Sequence, residues 1–241
     1  MVTLAHPFWI GAIFLLAGFT QGVSGFGAGL VAMPFLLLFM EAREAVPFCM
    51  LNGLAITLIL SLQLRKSVQW VKVRPMFWGC LPGIALGALF LRGADNRLLE
   101  VSLGLLVISY SLFSLIFSPR PRRMHPVWPV LAGFGTGVIG SAFSAGGPPT
   151  IIYVTLTGWD KNEIKATLSL FFFVTGVFIV LGHTLCGLIT RQVLAALPYS
   201  LPFVVSGVAA GALMYDRIPQ KVYIRLILCM LVGVGFMMIL V

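Results

Sequence analysis

From Phe8 to Met40 the chain runs for 33 residues without a charged side chain. As one straight helix it would be roughly 50 Å long, against a bilayer hydrocarbon core of about 30 Å. Its middle is "GFTQGVSGFGAGLVAMP" (Gly18–Pro34), with five glycines, a serine, a glutamine and a threonine. A glycine in a helix interior costs roughly 1 kcal/mol relative to alanine. The run therefore reads as membrane-embedded and broken at its centre.

The remaining composition fits an all-α polytopic membrane protein. Hydrophobic residues make up 59% of the 241 and charged residues 10%, where a soluble domain has about 25% charged. The apolar runs do not alternate, as a membrane barrel requires. A net charge of +9 raises nucleic acid as a partner, but the basic clusters lie between apolar runs. There they read as cytoplasmic loops under the positive-inside bias, and no nucleic acid is expected. No Lys or Arg precedes Arg43, so the start lacks the basic region of a secretory signal. Cys49, Cys80, Cys186 and Cys229 are scattered through apolar segments without a CxxC pair, which argues against a disulfide or metal framework; no metal and no cofactor are expected. No Walker-type phosphate loop is present. Three histidines far apart in sequence and acids confined to loops do not make a catalytic constellation, and the chain reads as not an enzyme.

The chain is read as a repeat. Ala17–Pro34 aligns without gaps to "AGFGTGVIGSAFSAGGPP" (Ala132–Pro149), with seven of eighteen positions identical. Gly83 and Gly87 align with Gly207 and Gly211 further on. The first repeat covers 1–117, with a hairpin at about 8–40 and spans near Ala45–Leu64, Met76–Leu91 and Leu98–Phe117. A basic linker, Ser118–Pro126, leads to the second repeat, 127–241, with a hairpin at about 127–158 and spans near Ile164–Thr184, Val193–Met214 and Val222–Leu240. Gly79, Gly83 and Gly87 form a stripe on one helix face, read as close helix packing.

Counting basic residues separates two topologies. If each glycine-rich run crosses once, Lys and Arg divide eight against eight, although all seven acids then share a side. If each run is a re-entrant hairpin, the halves are inverted and the division is twelve against four, with only Arg43, Arg92, Arg97 and Arg191 on the minor side. The basic count carries more weight than the acids. It favours two inverted-topology repeats, each a glycine-rich broken or re-entrant hairpin followed by three transmembrane helices, with both termini periplasmic. Inverted repeats with discontinuous helices are a transporter signature, with substrate held near the midplane.

Two hairpin tips would meet from opposite faces, each followed by a helix start near Gly29–Val31 and Pro149–Ile151. Helix starts offer unpaired N–H groups and about +0.5 of charge, a pocket for a small anion. The expected substrate-binding residues are Gln21, Ser24, Gly25, Gly27, Gly29, Ser141, Ser144, Gly146, Gly147 and Thr150. Gly22, Pro34, Gly137, Gly140, Pro148 and Pro149 are the expected hinge or helix-break residues, the prolines suiting a helix start or its first turn. Asn52, Thr167 and His183 are candidates for second-shell or coupling roles, with His183 near a span end and so near the interface. No Lys or Arg is expected in the membrane core.

The same residues carry a resemblance. "GFTQGVSGFGAGLVAMPFLL" and "GFGTGVIGSAFSAGGPPTIIY" resemble the two signature segments of the TauE/SafE family of bacterial membrane proteins, and "DKNEIKATLSLFFF" (Asp160–Phe173) resembles its second-half segment, with Ala166–Thr167. The first run reads GFGAGL rather than an unbroken glycine triplet, a departure that bears on pocket shape. The resemblance implies export or permeation of sulfite or small organosulfonates across the bacterial inner membrane. The expected partners are a small anion, the bilayer, a coupling proton or sodium ion, and a second copy in a homodimer. Alternatives are a thiosulfate or other small-anion permease, for which cysteines at the tips are expected but absent from both tip sequences, and a non-transporting scaffold or sensor.

Overall fold

The structure, a computed structural model, describes residues 7–65, 68–117, 124–157, 159, 161–215 and 220–240. Most of the expected linker, 118–123, lies outside the described residues. Among the described residues ten helices follow in order: α1 (Pro7–Ser24), α2 (Ala28–Leu36), α3 (Ala42–Gln63), α4 (Trp70–Gly93), α5 (Asn96–Ile116), α6 (Val127–Phe143), α7 (Gly147–Thr157), α8 (Lys161–Leu185), α9 (Arg191–Met214) and α10 (Gln220–Leu240). There is no strand among the described residues. Five helices, α3, α4, α5, α8 and α9, are long and apolar enough to cross a membrane. Helix starts follow local signals where the sequence provides them. Asp95 accepts the Leu98 N–H at 2.6 Å and Thr190 accepts the Val193 N–H at 3.2 Å, each satisfying one orphan donor of a first turn. The first helix after each break starts slightly earlier than expected, at Ala28 and at Gly147. Pro34 consequently sits late in α2 rather than in its first turn, because the helix nucleates directly after Gly27.

Each long apolar run breaks and turns back. The ring of Pro149 packs against Gly135, and Gly146 packs against Gly140. Thr136 and Thr150 share a hydroxyl–hydroxyl hydrogen bond. These pairs close around Phe143, so α7 runs back along α6. Gly27 beside Thr20 and the Ala28 N–H on Gln21 Oε1 do the same for α2 and α1. A nine-residue helix is about 14 Å long and cannot span a bilayer. Seven of the nine α2 residues are buried, so its depth in the membrane is sheltered by protein.

Glycine sets the main helix contacts. α4 packs on α6 because a Cβ at Gly83 would overlap the Phe134 carbonyl, and one at Gly137 would overlap the Cys80 carbonyl. α1 packs on α9 in the same way, with Gly207 on the Leu15 carbonyl and Gly18 on the Val204 carbonyl. Backbones this close gain dispersion contacts that stand in for a hydrophobic driving force inside lipid. The other major pairings are α3 with α8 and α9, α4 with α8, and α5 with α10. Exchanging α1–α5 for α6–α10 returns the same set of major pairings. Outward faces carry Trp78, Leu89, Leu213 and Leu226, all exposed, as lipid contact requires.

Contacts at the helix ends fix which loops share a side. Lys72 pairs with Glu163 at 3.0 Å. Arg97 donates to the Met238 and Ile239 carbonyls at 3.1 and 2.6 Å, covering the last turn of α10.

Replacing Gly83 or Gly207 by valine should destabilise the protein by about 1–3 kcal/mol or more, since the added atoms meet backbone that cannot move aside. Gly233→Ala, where a Cβ meets nothing within 4 Å, should be neutral or stabilising by up to about 1 kcal/mol. Thermal unfolding of the three variants in detergent measures the difference.

Candidate functional site

The two breaks meet. A Cβ at Gly29, in the first turn of α2, would overlap the Ser144 carbonyl, and Gly147 at the start of α7 faces the Phe26 ring. Backbone geometry explains the glycines. Gly25 and Gly27 have φ of 83° and 96°, and Ser144 closes α6 with φ 54°. For a residue with a side chain this left-handed conformation costs roughly 1–2 kcal/mol. Cys49 of α3 shares a cavity wall with Ser144.

Between the breaks lies a cavity of about 70 Å³, room for a few water-sized groups. Six of the ten expected binding residues line it: Gln21, Gly27, Gly29, Ser144, Gly146 and Gly147. Its other wall is the middle of α3 and α8, with Gly53, Thr57, Thr175 and Gly176. Among the described residues no charged side chain lines it. Four expected binding residues sit elsewhere. The Ser24 hydroxyl is spent on the Thr20 and Phe26 carbonyls, at 2.7 and 2.6 Å. Gly25 packs against Lys165, Thr150 bonds Thr136, and Ser141 is wholly buried behind the second break. Of the hinge residues, Gly140 lines the cavity, whereas Gly22 and Gly137 are interhelical contacts.

Hydrogen-bond accounting gives the cavity a polarity. Gln21 is buried; its Oε1 accepts the Ala28 N–H at 3.3 Å, while its amide NH₂ makes no hydrogen bond among the described residues. The first bond into α2 runs from Val31 N–H to the Gly27 carbonyl at 3.0 Å. The N–H groups of Gly29 and Leu30 precede it and are orphan donors, on two residues that line the cavity. The start of α7 is poorer. Pro148 and Pro149 have no N–H, leaving Gly147 as its donor at the cavity. The Thr57 and Thr175 hydroxyls donate to the Gly53 and Phe171 carbonyls, both four residues back, so they present lone pairs. Donors thus gather at the start of α2 and acceptors on the α3–α8 wall.

Three residues gain partners that the sequence does not reveal. Lys165, at the start of the span expected from Ile164, is 6% exposed, and its ammonium donates to the Gly22 carbonyl at 2.7 Å and lies 3.7 Å from the Tyr215 ring centroid. It caps the end of α1, where the helix dipole favours a cation, and helix α8 begins early enough to carry it inward. His183 lies in the last turn of α8. It is fully buried, with Nε2 2.8 Å from the Ser141 carbonyl. Cys49, far from either tip in sequence, shares the cavity wall with Ser144 of the second break. The remaining candidates are structural in position. Asn52 accepts from Ser200 at 2.7 Å and donates to the Phe48 carbonyl at 2.9 Å. Thr167 accepts the Gln69 N–H at 3.3 Å, away from the cavity. The sequence signals for Gly53, Thr57, Thr175 and Gly176 were weak, since small and hydroxyl residues inside spans serve packing equally well.

A Cβ at Gly53 meets nothing within 4 Å, although the residue lines the cavity. Gly53→Leu should therefore fill the cavity without unfolding the protein. In a variant whose only cysteine is Cys49, labelling by a small thiol reagent should slow at least tenfold with leucine at 53, at unchanged melting temperature.

A family model described as "Sulfite exporter TauE/SafE" matches residues 10–238. No curated protein and no solved structure gives a significant match.

Proposed function

The chain belongs to the sulfite exporter TauE/SafE family, and from that membership we propose that it is a secondary transporter of a small sulfur-containing anion, sulfite or an organosulfonate. The anion sits between the two breaks, on the Gln21 amide and the N–H groups of Gly29 and Leu30. The observation that carries this reading is the set of unspent donors at the start of α2, facing a cavity that no charged side chain lines among the described residues. Neutral donors and a helix dipole attract an anion without the deep well that a buried cation would create. Such binding stays weak enough to release, as transport needs.

The two halves, 1–117 and 127–241, are read as inverted repeats in the inner membrane, with both termini periplasmic. The Lys72–Glu163 ion pair supports this, because a single crossing at each glycine-rich run would put these residues on opposite faces. Arg97 at the end of α10 supports it for the same reason. Alternating access then follows from two hairpins of opposite orientation sharing one site.

A second reading, a permease for thiosulfate or another reduced sulfur anion, draws on Cys49. This residue borders the cavity, as Ser144 does, so a soft sulfur atom has a soft neighbour.

Thermal stability of purified protein against sulfite, methanesulfonate, sulfoacetate, thiosulfate, sulfate and chloride tests both readings. A ligand at 100 times its dissociation constant stabilises by about 2.7 kcal/mol. Sulfite or a sulfonate should raise the melting temperature, and Gln21→Leu should weaken that binding about tenfold, the loss of one hydrogen bond to a charged group. A shift with thiosulfate alone, abolished by Cys49→Ala, would select the second reading. No shift with any sulfur anion in folded protein would overturn both.

A further inference from the structure

His183 is the one ionisable side chain of α8 left with an idle ring nitrogen. A carbonyl can only accept, so the Nε2 bonded to the Ser141 carbonyl carries the hydrogen. Nδ1 then holds a lone pair, buried and without a partner. The Ser141 hydroxyl beside that bond is also buried and without a partner. Burying two such groups without a partner is unfavourable. Ser141 lies in the last turn of α6, whose carbonyl end attracts cations, and the second break that follows borders the cavity. We infer that His183 is the coupling-proton site: a proton binds Nδ1, and the imidazolium and the anion at the breaks favour each other's binding. This rests on the transport reading above.

The elements packed on α8 offer few rivals. α6 has no ionisable residue. On α3 these are Arg43, held on the Ala94 carbonyl at 2.8 Å, Glu44, and Cys49 at the cavity wall. On α4 they are Lys72, paired with Glu163 at the far end of α8, Arg74, Cys80 and Arg92. Lys165 lies five helical turns away, at about 27 Å along the axis, and serves the first break. The hydrogen bond to the Ser141 carbonyl ties a proton on His183 to the second break, and linkage between proton and anion is reciprocal.

The test is uptake into proteoliposomes of radiolabelled methanesulfonate and sulfoacetate, whose sulfonates stay ionised wherever histidine titrates. Methanesulfonate carries no other titrating group. With equal anion on both sides, a one-unit pH step should drive accumulation of up to about tenfold at one proton per anion. His183→Gln keeps an N–H donor for the Ser141 carbonyl. It should still pass anion down a concentration gradient and lose the pH-driven accumulation. Glu44→Gln should keep it. Wild-type flux indifferent to the pH step overturns the inference and leaves the transport reading standing. So does pH-driven accumulation surviving in His183→Gln, or lost in Glu44→Gln. Absence of flux for these anions, sulfite and thiosulfate alike overturns the transport reading itself.

Discussion

Backbone inside a bilayer has no water to bond with, and every consequence of this fold begins there. Each unmade N–H or C=O bond in hydrocarbon costs several kcal/mol, so a chain that breaks a helix at that depth must supply its own partners. This one does so with few side chains. Gln21 takes the first N–H of α2, and Ser24 takes carbonyls on both sides of its bend. Lys165 takes the Gly22 carbonyl and His183 the Ser141 carbonyl. What remains unspent is correspondingly informative. Donors at Gly29, Leu30 and the Gln21 amide are left open only where the cavity lies, and the donor-poor start of α7 faces them.

The same constraint explains why the hairpins are clamped so closely. A short helix that does not span needs protein on all sides, and glycine lets two backbones approach until little space remains between them. α1 is locked to α9 and α6 to α4 by carbonyl contacts that a single methyl group would break. Each hairpin is thus fastened to a long helix of the opposite half, and the two tips touch at Gly29 and Ser144. Movement of one hairpin carries a partner helix with it. Under the proposed function, that coupling is what alternating access requires.

The helices were legible because charge marks their ends: the spans read from apolar runs match the observed helices to within a few residues at most ends, with α4 extending further. The breaks were legible because glycine and proline have few other uses at that depth. Gln21 stood out as an amide in an apolar run. Lys165 did not, because it follows Asp160, Lys161 and Glu163 and looks like one more loop charge; its burial depends on Gly22 and Gly25, about 140 residues away. Thr57 and Thr175 were hidden by chemistry. A threonine inside a helix bonds the carbonyl four residues back whether or not it faces a cavity, so its type carries no direction. Pro34 misled for a related reason: proline marks a helix start statistically, yet a nine-residue helix fully enclosed by protein tolerates it near its end.

The two halves share a scaffold and differ in chemistry at equivalent places. The carbonyls at the end of α1 meet a lysine, and those at the end of α6 meet a histidine, both supplied by α8 from its opposite ends. The start of α2 presents N–H groups, and the start of α7 presents two prolines. A symmetric pair of hairpins would bind the anion equally from either side. Here a lysine ammonium donates to a carbonyl at one break and an imidazole N–H to a carbonyl at the other. Under the proposed transport function, that difference makes the two halves act unequally on the anion, although their major helix pairings correspond.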